Sequence, residues 1–330
     1  MPLVYPPKLD IACTPTPLQF LPRASEQWGH GKRLWVKRDD LTGSLLSGNK
    51  VRKLEFILAH AIDNGYDTLI TTGGIQSNHA RATAVAGAQL GLKVHLLLRG
   101  EEAESPDGNL LLDHLVGAQV SYYSPREYFR NIDALFLQWQ QHYASAGRQA
   151  LIIPVGGSDG IGCWGYVKAC EELVSDFKAA GIEQAHIITA AGSGGTQAGL
   201  TLGAELHKLP AQVWGVNVCD DENWFINKVN QDIADWTNRY PGAPAVSVKP
   251  RVLDGYVGQG YGIASPEIFD LIVQLSRLEG LILDPVYTGK AFAGMVSEIA
   301  AGRFSDCQDI VFLHTGGIFG MFPQREGFSW

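Results

Sequence analysis

The chain has 330 residues, of which 45% are hydrophobic and 18% are charged, and its formal net charge is −8. This length and composition are typical of a globular protein with one large or two medium domains. The negative charge and the scattered basic residues argue against a nucleic-acid partner, because phosphate backbones require a basic face. No apolar run could span a bilayer and residues 1–20 lack a signal-peptide pattern, so we expect a cytoplasmic protein with no membrane partner.

Six apolar runs rich in valine, isoleucine and leucine, most of them ending in glycine, lie at residues 67–74, 93–100, 150–157, 185–195, 212–218 and 309–317. Runs of this kind are typical of strands buried on both faces. The segments between them predict helices at about residues 49–64, 78–91, 158–178, 195–207, 265–279 and 288–300. Strand, glycine turn and helix in repetition indicate an α/β protein with parallel sheets.

In parallel sheets, ligands bind beyond the carboxyl ends of the strands. The glycine turns follow those ends, so four loops are expected to face a ligand: residues 73–79, 156–160, 191–196 and 315–318. Residues 239–262 form the least regular stretch, with three prolines and several glycines, and we expect this stretch to cross the surface near the same site.

The cysteines are far apart, odd in number and without a CxxC pair: Cys13, Cys163, Cys170, Cys219 and Cys307. This spacing argues against a disulfide framework and against a zinc site, and it predicts reduced, buried thiols and no bound metal. A nucleophilic role is the alternative for each cysteine, although no neighbouring residues distinguish any of them.

The segment RDDLTGSLLSGNKVRKLEF, residues 38–56, predicts a loop that leads into an amphipathic helix. Lys50 falls in the first turn of that helix, where the positive helix end disfavours an ammonium and lowers the pKa of the amine. A neutral amine is what Schiff-base chemistry requires. The alternative is that Lys50 is a solvated surface group, as lysines at helix starts commonly are.

The segment GGIQSNHAR, residues 73–81, places Ser77, Asn78 and His79 between a strand and a helix. Their side chains and backbone N–H groups could bind a substrate carboxylate at the helix start. The alternative is a simple N-cap by Ser77 or Asn78, with His79 as a structural hydrogen-bonding group.

The segment AAGSGGTQAG, residues 190–199, follows a predicted strand and precedes a predicted helix. Its glycines permit positive φ and close approach of the backbone to a ligand, and Thr196 adds a hydroxyl donor. With the helix start, these groups predict an anion site suited to one phosphate. The alternatives are a tight turn without a ligand and a dinucleotide fingerprint, although GxGxxG fails at Gln197.

The segment ILDPVYTGKAFAGM, residues 282–295, places Tyr287 and Thr288 in a short loop before a helix. A phenol there can act as an acid or a base, and Thr288 offers a neutral hydroxyl. The alternative is a buried tyrosine whose hydroxyl has a structural partner. A Walker-type phosphate loop is excluded, because Asp284 stands where the motif requires glycine and Ala291 follows Lys290.

Together and in this order, these segments resemble the D-cysteine desulfhydrase / 1-aminocyclopropane-1-carboxylate (ACC) deaminase family of fold-type-II pyridoxal-phosphate enzymes, with the D-cysteine desulfhydrases nearest. The likeness covers nearly the whole chain, in TPTPLQFLPR (residues 14–23), KRDD, SGNKVRKLEF, GGIQSNHARATA, IPVGGSDGIGCWGY, AGSGGTQAG, DPVYTGKA and FLHTGG. The resemblance implies open, twisted, mainly parallel sheets of the tryptophan-synthase-β type, pyridoxal 5′-phosphate as the cofactor, and a homodimer.

We further expect two domains, a small one at residues 48–159 and a large one that combines residues 1–47 with 160–330. The cofactor is expected in the cleft between them, because ligand sites often lie at domain interfaces.

The resemblance also implies roles for individual residues. Lys50 matches the lysine that holds the cofactor as a Schiff base and then removes the α-proton of the substrate. Asn78 matches the residue that bonds the phenolic oxygen of the cofactor, and Ser77 an active-site serine near the substrate carboxylate. The phosphate loop corresponds to Gly192, Ser193, Gly194, Gly195 and Thr196.

Two pairs of residues in the later part of the chain complete the implied site. Tyr261, in QGYG, and Tyr287 match two active-site phenols, of which Tyr287 assists the leaving group. Thr288 matches the position beside the pyridine nitrogen of the cofactor, and Thr315, in HTGG, is a second candidate for the same neighbourhood.

The residue at position 288 separates members of the family. ACC deaminases typically have a glutamate there, which keeps the pyridine nitrogen protonated and makes the ring a strong electron sink, whereas threonine cannot hold that proton. Opening a cyclopropane demands the strong sink, but loss of a thiolate does not. Thr288 therefore favours α,β-elimination of D-cysteine to pyruvate, hydrogen sulfide and ammonia. The alternatives are an ACC deaminase, a cysteate lyase, a β-replacement synthase and a cofactor-binding protein without turnover.

Overall fold

The structure, a computed structural model, describes residues 3–329. Within these residues there are ten strands, numbered in chain order: β1 Leu18–Phe20, β2 Arg33–Lys37, β3 Thr68–Gly74, β4 Lys93–Arg99, β5 Gln119–Tyr123, β6 Ala150–Ile152, β7 Ala185–Ala191, β8 Ala211–Asn217, β9 Arg251–Leu253 and β10 Asp309–Leu313. The same residues form eleven α-helices: α1 Pro22–Trp28, α2 Asn49–Asp63, α3 Asn78–Gln89, α4 Gly108–Leu115, α5 Pro125–Ser145, α6 Cys163–Ala180, α7 Gly195–Leu206, α8 Glu222–Arg239, α9 Pro266–Glu279, α10 Thr288–Ala300 and α11 Ile318–Met321.

The strands form two sheets. The larger sheet has the order β1-β2-β10-β7-β8-β9, and all its neighbouring strands are parallel except β1 and β2. The smaller sheet has the order β5-β4-β3-β6 and is parallel throughout. The predicted α/β class with mainly parallel sheets is therefore confirmed.

The strands of the smaller sheet all lie between residues 68 and 152, and those of the larger sheet lie on either side of this range. Helix α2 packs against both α3 and α6, so sheet membership alone does not assign it to one half of the molecule. The domain limits given above stay a prediction.

All six predicted helices are present, but one begins five residues late. The predicted start at residue 158 is displaced to Cys163, because Gly156 and Gly157 both have positive φ and form a 3₁₀ turn with Val155. The sequence analysis missed five helices and four strands. The longest of these is α5, in which only Tyr128, Leu135, Phe136 and Tyr143 are buried.

A buried network of charges holds the first turns of α2 in place. Arg52 contacts Asp39 and Glu172, with N–O distances of 2.8 Å to each, and the Tyr166 hydroxyl donates to Asp39 at 2.6 Å. Although burial raises the pKa of Asp39, Arg52 and Tyr166 outweigh it and hold the pKa below its ordinary value. Removing one partner of such a pair leaves an uncompensated buried charge, so the network fixes the helix that carries Lys50.

The five cysteines are all free, and three of them are buried: Cys163, Cys170 and Cys307. The expectation of buried thiols is wrong for Cys13, which is exposed, and for Cys219, which is only partly buried. In the described part of the chain, no helix is long and apolar enough to cross a bilayer. Residues 3–329 also contain no cluster of three or more histidine, cysteine or acidic side chains arranged to hold a metal.

Candidate active site

A cavity of about 520 Å³ lies where the carboxyl ends of both sheets meet. Its wall is formed by residues at the ends of β3, β4 and β7, by residues that follow β8 and β10, and by the first turn of α2. This is the location expected for a ligand site in an α/β protein, and the volume suits a cofactor together with a small substrate.

Lys50 lies on the cavity wall in the first turn of α2, and its Nζ donates to Asn49 Oδ1 at 3.3 Å. Burial, followed by the positive charges of Lys53 and Arg81, holds the pKa of the Lys50 amine well below its ordinary value. Burial is thus the largest cause of the lowered pKa, whereas the sequence predicted that the positive end of the helix would lower it. A lowered pKa favours the neutral amine, which can act as a nucleophile and as a base.

The loop between β3 and α3 brings Ser77, Asn78 and His79 to the cavity wall. Ser77 is the N-cap of α3, since its Oγ accepts a hydrogen bond from the N–H of Ala80 at 3.1 Å. Asn109 donates to Asn78 Oδ1 at 3.0 Å and so orients the Asn78 side chain. The capping interpretation is therefore correct for Ser77, and it is compatible with a second role for the hydroxyl hydrogen.

His79 is buried, and its Nε2 lies 2.8 Å from the Thr71 hydroxyl. Burial, with Lys50 and Lys53 nearby, lowers the pKa of His79 well below its ordinary value, so the ring is neutral. A neutral ring in this position can donate or accept a hydrogen bond but adds no charge that would attract a carboxylate.

The glycine loop after β7 places Gly192 and Ser193 on the cavity wall, with Gly194, Gly195 and Thr196 behind them. Ser158 Oγ accepts from the N–H of Gly195 at 3.2 Å and lies 2.8 Å from Ser193 Oγ. A Cβ on Gly195 would lie 2.5 Å from Ser158 Oγ, so only glycine fits there. The Asn49 amide donates to Thr196 Oγ1 at 2.9 Å, which joins this loop to the first turn of α2.

Lys53 supplies a buried cation behind the glycine loop. Its side chain is fully buried, its Nζ lies 3.5 Å from Ser158 Oγ, and burial lowers its pKa to about 8. Within residues 3–329, no carboxylate lies within ion-pair distance of this ammonium. The carboxylates of Asp232 and Asp159 raise its pKa only from beyond that distance, and a buried cation beside the N-terminus of α7 fits the phosphate of pyridoxal phosphate.

No part in cofactor binding was predicted for Lys53 from the sequence. The available signal was its spacing, because residues three apart on a helix project from the same face and Lys53 follows Lys50 by three positions.

The phenols of Tyr261 and Tyr287 meet in the cavity, with their hydroxyl oxygens 2.5 Å apart. Burial, reinforced by Tyr261, raises the pKa of Tyr287 well above its ordinary value, so the pair carries its protons at neutral pH. The glycine-rich loop that carries Tyr261 is held by Lys290, whose Nζ donates to the carbonyl oxygens of Val257 at 2.7 Å and Gly260 at 2.9 Å.

Thr288 does not lie on the cavity wall, contrary to the position that the resemblance implied for it. Its side chain is fully buried, and its hydroxyl donates to Asp284 Oδ1 at 2.6 Å. The short loop from Asp284 to Thr288 turns the hydroxyl inward, so Thr288 fixes the start of α10. A glutamate at this position would bring a second carboxylate against Asp284.

Asp284 is one of three carboxylates on the cavity wall, and no role was predicted for it from the sequence. Three backbone N–H groups, from Val286, Tyr287 and Thr288, donate to it at 2.9 Å, in addition to the Thr288 hydroxyl. Burial raises its pKa, and these hydrogen bonds oppose that rise. Four donors occupy the four lone-pair positions of a carboxylate, so Asp284 organises its own loop.

Thr315 does lie on the cavity wall, on the loop after β10. Its hydroxyl has no hydrogen-bond partner among residues 3–329, whereas its backbone carbonyl accepts from the N–H of Asn49 at 3.2 Å. A neutral hydroxyl that is free to pair with a ligand is therefore present in the cavity, at position 315 and not at position 288.

Two mainly parallel sheets that meet at a cavity with a lysine amine and a glycine loop before a helix define the class of fold-type-II pyridoxal-phosphate enzymes. The family described as "Pyridoxal-phosphate dependent enzyme" matches residues 9–316. The chain belongs to this family, and within it to the D-cysteine desulfhydrase / ACC deaminase group, and its cofactor is pyridoxal 5′-phosphate.

Three relatives illustrate the similarity. The chain is 42% identical over 320 residues to a putative ACC deaminase of Thermotoga maritima, covering 97% of this chain and 99% of the relative. It is 39% identical over 323 residues to a bifunctional, mitochondrial D-cysteine desulfhydrase/ACC deaminase of Arabidopsis thaliana, covering 94% of this chain and 79% of the relative. The crystal structure of an ACC deaminase homologue superposes with a TM-score of 0.89 at 36% identity, covering 97% of this chain and 95% of that one.

Proposed function

We propose that the protein is a lyase that removes the β-substituent of a small amino acid, with D-cysteine as its substrate. The observation that carries this proposal is the Lys50 amine, whose pKa is well below its ordinary value and which shares one cavity with a pair of protonated phenols. Such a site holds a base for the α-proton and an acid for the leaving group. When bound, pyridoxal phosphate supplies the electron sink for the carbon that loses its proton.

Each part of the cavity has one task in this proposal. The Lys50 amine accepts the α-proton, and the N-terminus of α3 with Ser77 binds the α-carboxylate. The glycine loop and Lys53 hold the phosphate. The Tyr287 hydroxyl gives a proton to the departing sulfur and recovers it through Tyr261. In total, cysteine and one water molecule give pyruvate, hydrogen sulfide and ammonia.

Thr315, and not Thr288, offers the neutral hydroxyl on the cavity wall that favours elimination. A free, neutral hydroxyl can bond an unprotonated ring nitrogen, and it does not maintain a positive charge there as a carboxylate does. This matches the modest electron sink that loss of a thiolate requires.

ACC deamination is the second candidate, favoured by the carboxylate of Asp284 on the cavity wall and by the names of the relatives. We rank it second, because the four donors on Asp284 leave no lone pair for a further hydrogen bond. The homodimeric state and the cytoplasmic location of the enzyme stay predictions.

The test is a substrate panel for the holoenzyme: D-cysteine, L-cysteine, β-chloro-D-alanine, D-cysteate and ACC, with 2-oxo acid, ammonia and sulfide measured together. We expect sulfide and pyruvate in equal amounts from D-cysteine and little or no 2-oxo acid from ACC. Efficient turnover of ACC without sulfide release from D-cysteine would replace the first candidate by the second. Addition of a second thiol identifies a β-replacement synthase, since pyruvate would then give way to a thioether.

A further inference from the structure

Arg99 is the last residue of β4, and its guanidinium lies on the wall of the active-site cavity. Three aromatic rings surround it. The Arg99 Cζ lies 5.5 Å from the ring centroid of Tyr128, 4.8 Å from that of Phe129 and 5.0 Å from that of Tyr261. Cation–π contacts of this kind hold a guanidinium in place without neutralising its charge.

The charge of Arg99 has no anionic partner in the part of the chain that the structure describes. Within residues 3–329, no carboxylate lies within ion-pair distance of Arg99, and no hydrogen bond from its guanidinium is formed. The buried Arg52 and Arg81 differ, because all three nitrogens of each guanidinium donate hydrogen bonds to protein oxygens. A partly buried cation with five unused donors is a binding group for an anion.

Arg99 also stands between two chambers. A second cavity of about 270 Å³ adjoins the first, and the two share wall residues that include Arg99, Tyr261 and Tyr287. A Cβ on Gly74 would lie 3.9 Å from Arg99 Nη2 and 3.9 Å from the Tyr261 hydroxyl. The guanidinium therefore faces the space beside the phenols, where the acid for the leaving group lies.

The α-carboxylate of an amino acid has a separate place in this cavity, at Ser77 and the N-terminus of α3. Other charges on the wall are the carboxylates of Asp133, Asp220 and Asp284, and none of them pairs with Arg99. A second anion site next to the phenols is thus suited to a second anionic group of the same substrate.

We propose that Arg99 recognises the β-substituent of the substrate, and that the site selects amino acids whose β-substituent is negatively charged, namely a thiolate or a sulfonate. This inference rests on the proposed elimination. As the α-proton moves to Lys50, the C–S bond breaks and both of its electrons leave with the sulfur. A departing thiolate takes the proton of Tyr287 and leaves as hydrosulfide, whereas a sulfonate leaves as sulfite, and in both cases the anion departs beside Arg99. Water then completes the products, which are pyruvate, ammonia and either sulfide or sulfite.

The test compares two substrates of the same chirality in the holoenzyme: D-cysteate, whose substituent is anionic, and β-chloro-D-alanine, whose substituent is neutral. Arg99→Met is expected to lower kcat/KM by about 100-fold for D-cysteate and by less than about 3-fold for β-chloro-D-alanine, because only the first loses a charged hydrogen-bonding partner. Arg99→Lys should recover part of the D-cysteate activity. Arg126→Met, which removes an exposed arginine of α5 outside the cavity, should change neither.

A binding measurement separates this inference from the proposed function. Calorimetric titration of the holoenzyme with inorganic sulfate should show about 10-fold weaker binding in Arg99→Met and no change in Arg126→Met. An equal loss of kcat/KM for both amino acids, or unchanged sulfate binding in Arg99→Met, would overturn the role of Arg99. Absence of turnover of every amino acid by the unaltered enzyme would instead overturn the elimination, while the sulfate titration would still decide whether Arg99 binds anions.

Discussion

The loop after β3 and the loop after β7 reach the same cavity with different chemistry. Each follows a buried parallel strand and begins a helix, so each presents a helix N-terminus to the ligand. The loop after β7 uses glycines, whose backbone approaches closely, whereas the loop after β3 adds the side chains of Ser77, Asn78 and His79. The loop after β7 suits a phosphate, which is the same in every turnover. The loop after β3 suits a substrate that must be distinguished from similar molecules.

The two loops also differ in the cation that lies behind each of them. Behind the glycine loop, the Lys53 ammonium has no carboxylate within ion-pair distance among residues 3–329. Behind the other loop, Arg81 donates to Asn109 and to the backbone carbonyls of Leu45 and Ser47. A cation without a carboxylate partner can bind an anionic ligand, while a cation whose three nitrogens all donate to protein oxygens holds loops in position.

Lys50 acts where the two loops meet, and its removal should have the largest effect. Lys50→Ala is expected to lower turnover by at least about 10³-fold, because the base and the covalent attachment of the cofactor are lost together. The visible absorbance of the lysine-bound cofactor should disappear as well. Lys53→Gln is the control, since it should weaken cofactor binding but keep that absorbance. Retention of the band in Lys50→Ala would falsify the assignment.

The glycine loop can be tested by adding one methyl group. Gly195→Ala is expected to weaken the binding of pyridoxal phosphate by about 10- to 100-fold, because the new Cβ overlaps Ser158 and displaces the loop. Gly242→Ala is the matched control, since a Cβ there meets no atom within 4 Å. Titration of both apoproteins with cofactor, followed by absorbance, measures the difference. Equal affinities would mean that the loop does not form the phosphate site.

The loop after β3 can be tested by comparing two helix caps. Ser77→Ala and Ser124→Ala each remove an N-cap, of α3 and of α5 respectively, and each should lower the free energy of unfolding by about 1 kcal/mol. Only Ser77 lines the cavity, so only Ser77→Ala should also raise KM, by about 10-fold. Urea denaturation and steady-state kinetics on both variants separate the two roles. An unchanged KM in Ser77→Ala would mean that Ser77 caps α3 but does not bind the substrate.

The smallest expected effect concerns the buried carboxylate of Asp113, near Arg81. Burial raises the pKa of Asp113 to about 8, against the opposing effect of Arg81. Because the folded state binds this proton more tightly than the unfolded state, whose pKa is about 3.9, the group lowers the free energy of unfolding as pH rises from about 4 to about 8. Asp113→Asn should therefore gain stability over the unaltered protein between pH 5.5 and pH 6.5, by on the order of 1 kcal/mol.

Urea denaturation at the two pH values measures this difference. The exposed Asp63→Asn should leave the pH dependence as it is. A parallel pH dependence in Asp113→Asn and the unaltered protein would show that Asp113 ionises normally.

Much of this comparison was available from the sequence, because apolar runs and glycine turns are local signals that mark strands and the loops after them. The positions of Lys50, Ser77 and the glycine loop followed from those signals and from the resemblance. Arg99 and Asp284 did not, because their importance depends on which side chains the fold brings against them. Thr288 shows the same limit, since a motif gives its place in the chain but not the direction in which its hydroxyl turns.

The hydrogen bonds from Lys290 to the loop that carries Tyr261 affect how the substrate preference of the enzyme can change. The ammonium binds two backbone carbonyl oxygens, which every residue type provides, and so it does not depend on the side chains of that loop. Substitutions of the side chains around Tyr261 can therefore change the shape of the second cavity while Lys290 still holds the backbone of the loop in place. This loop is where natural variation, or a mutant library, should find new substrate preferences at the least risk to the chemistry.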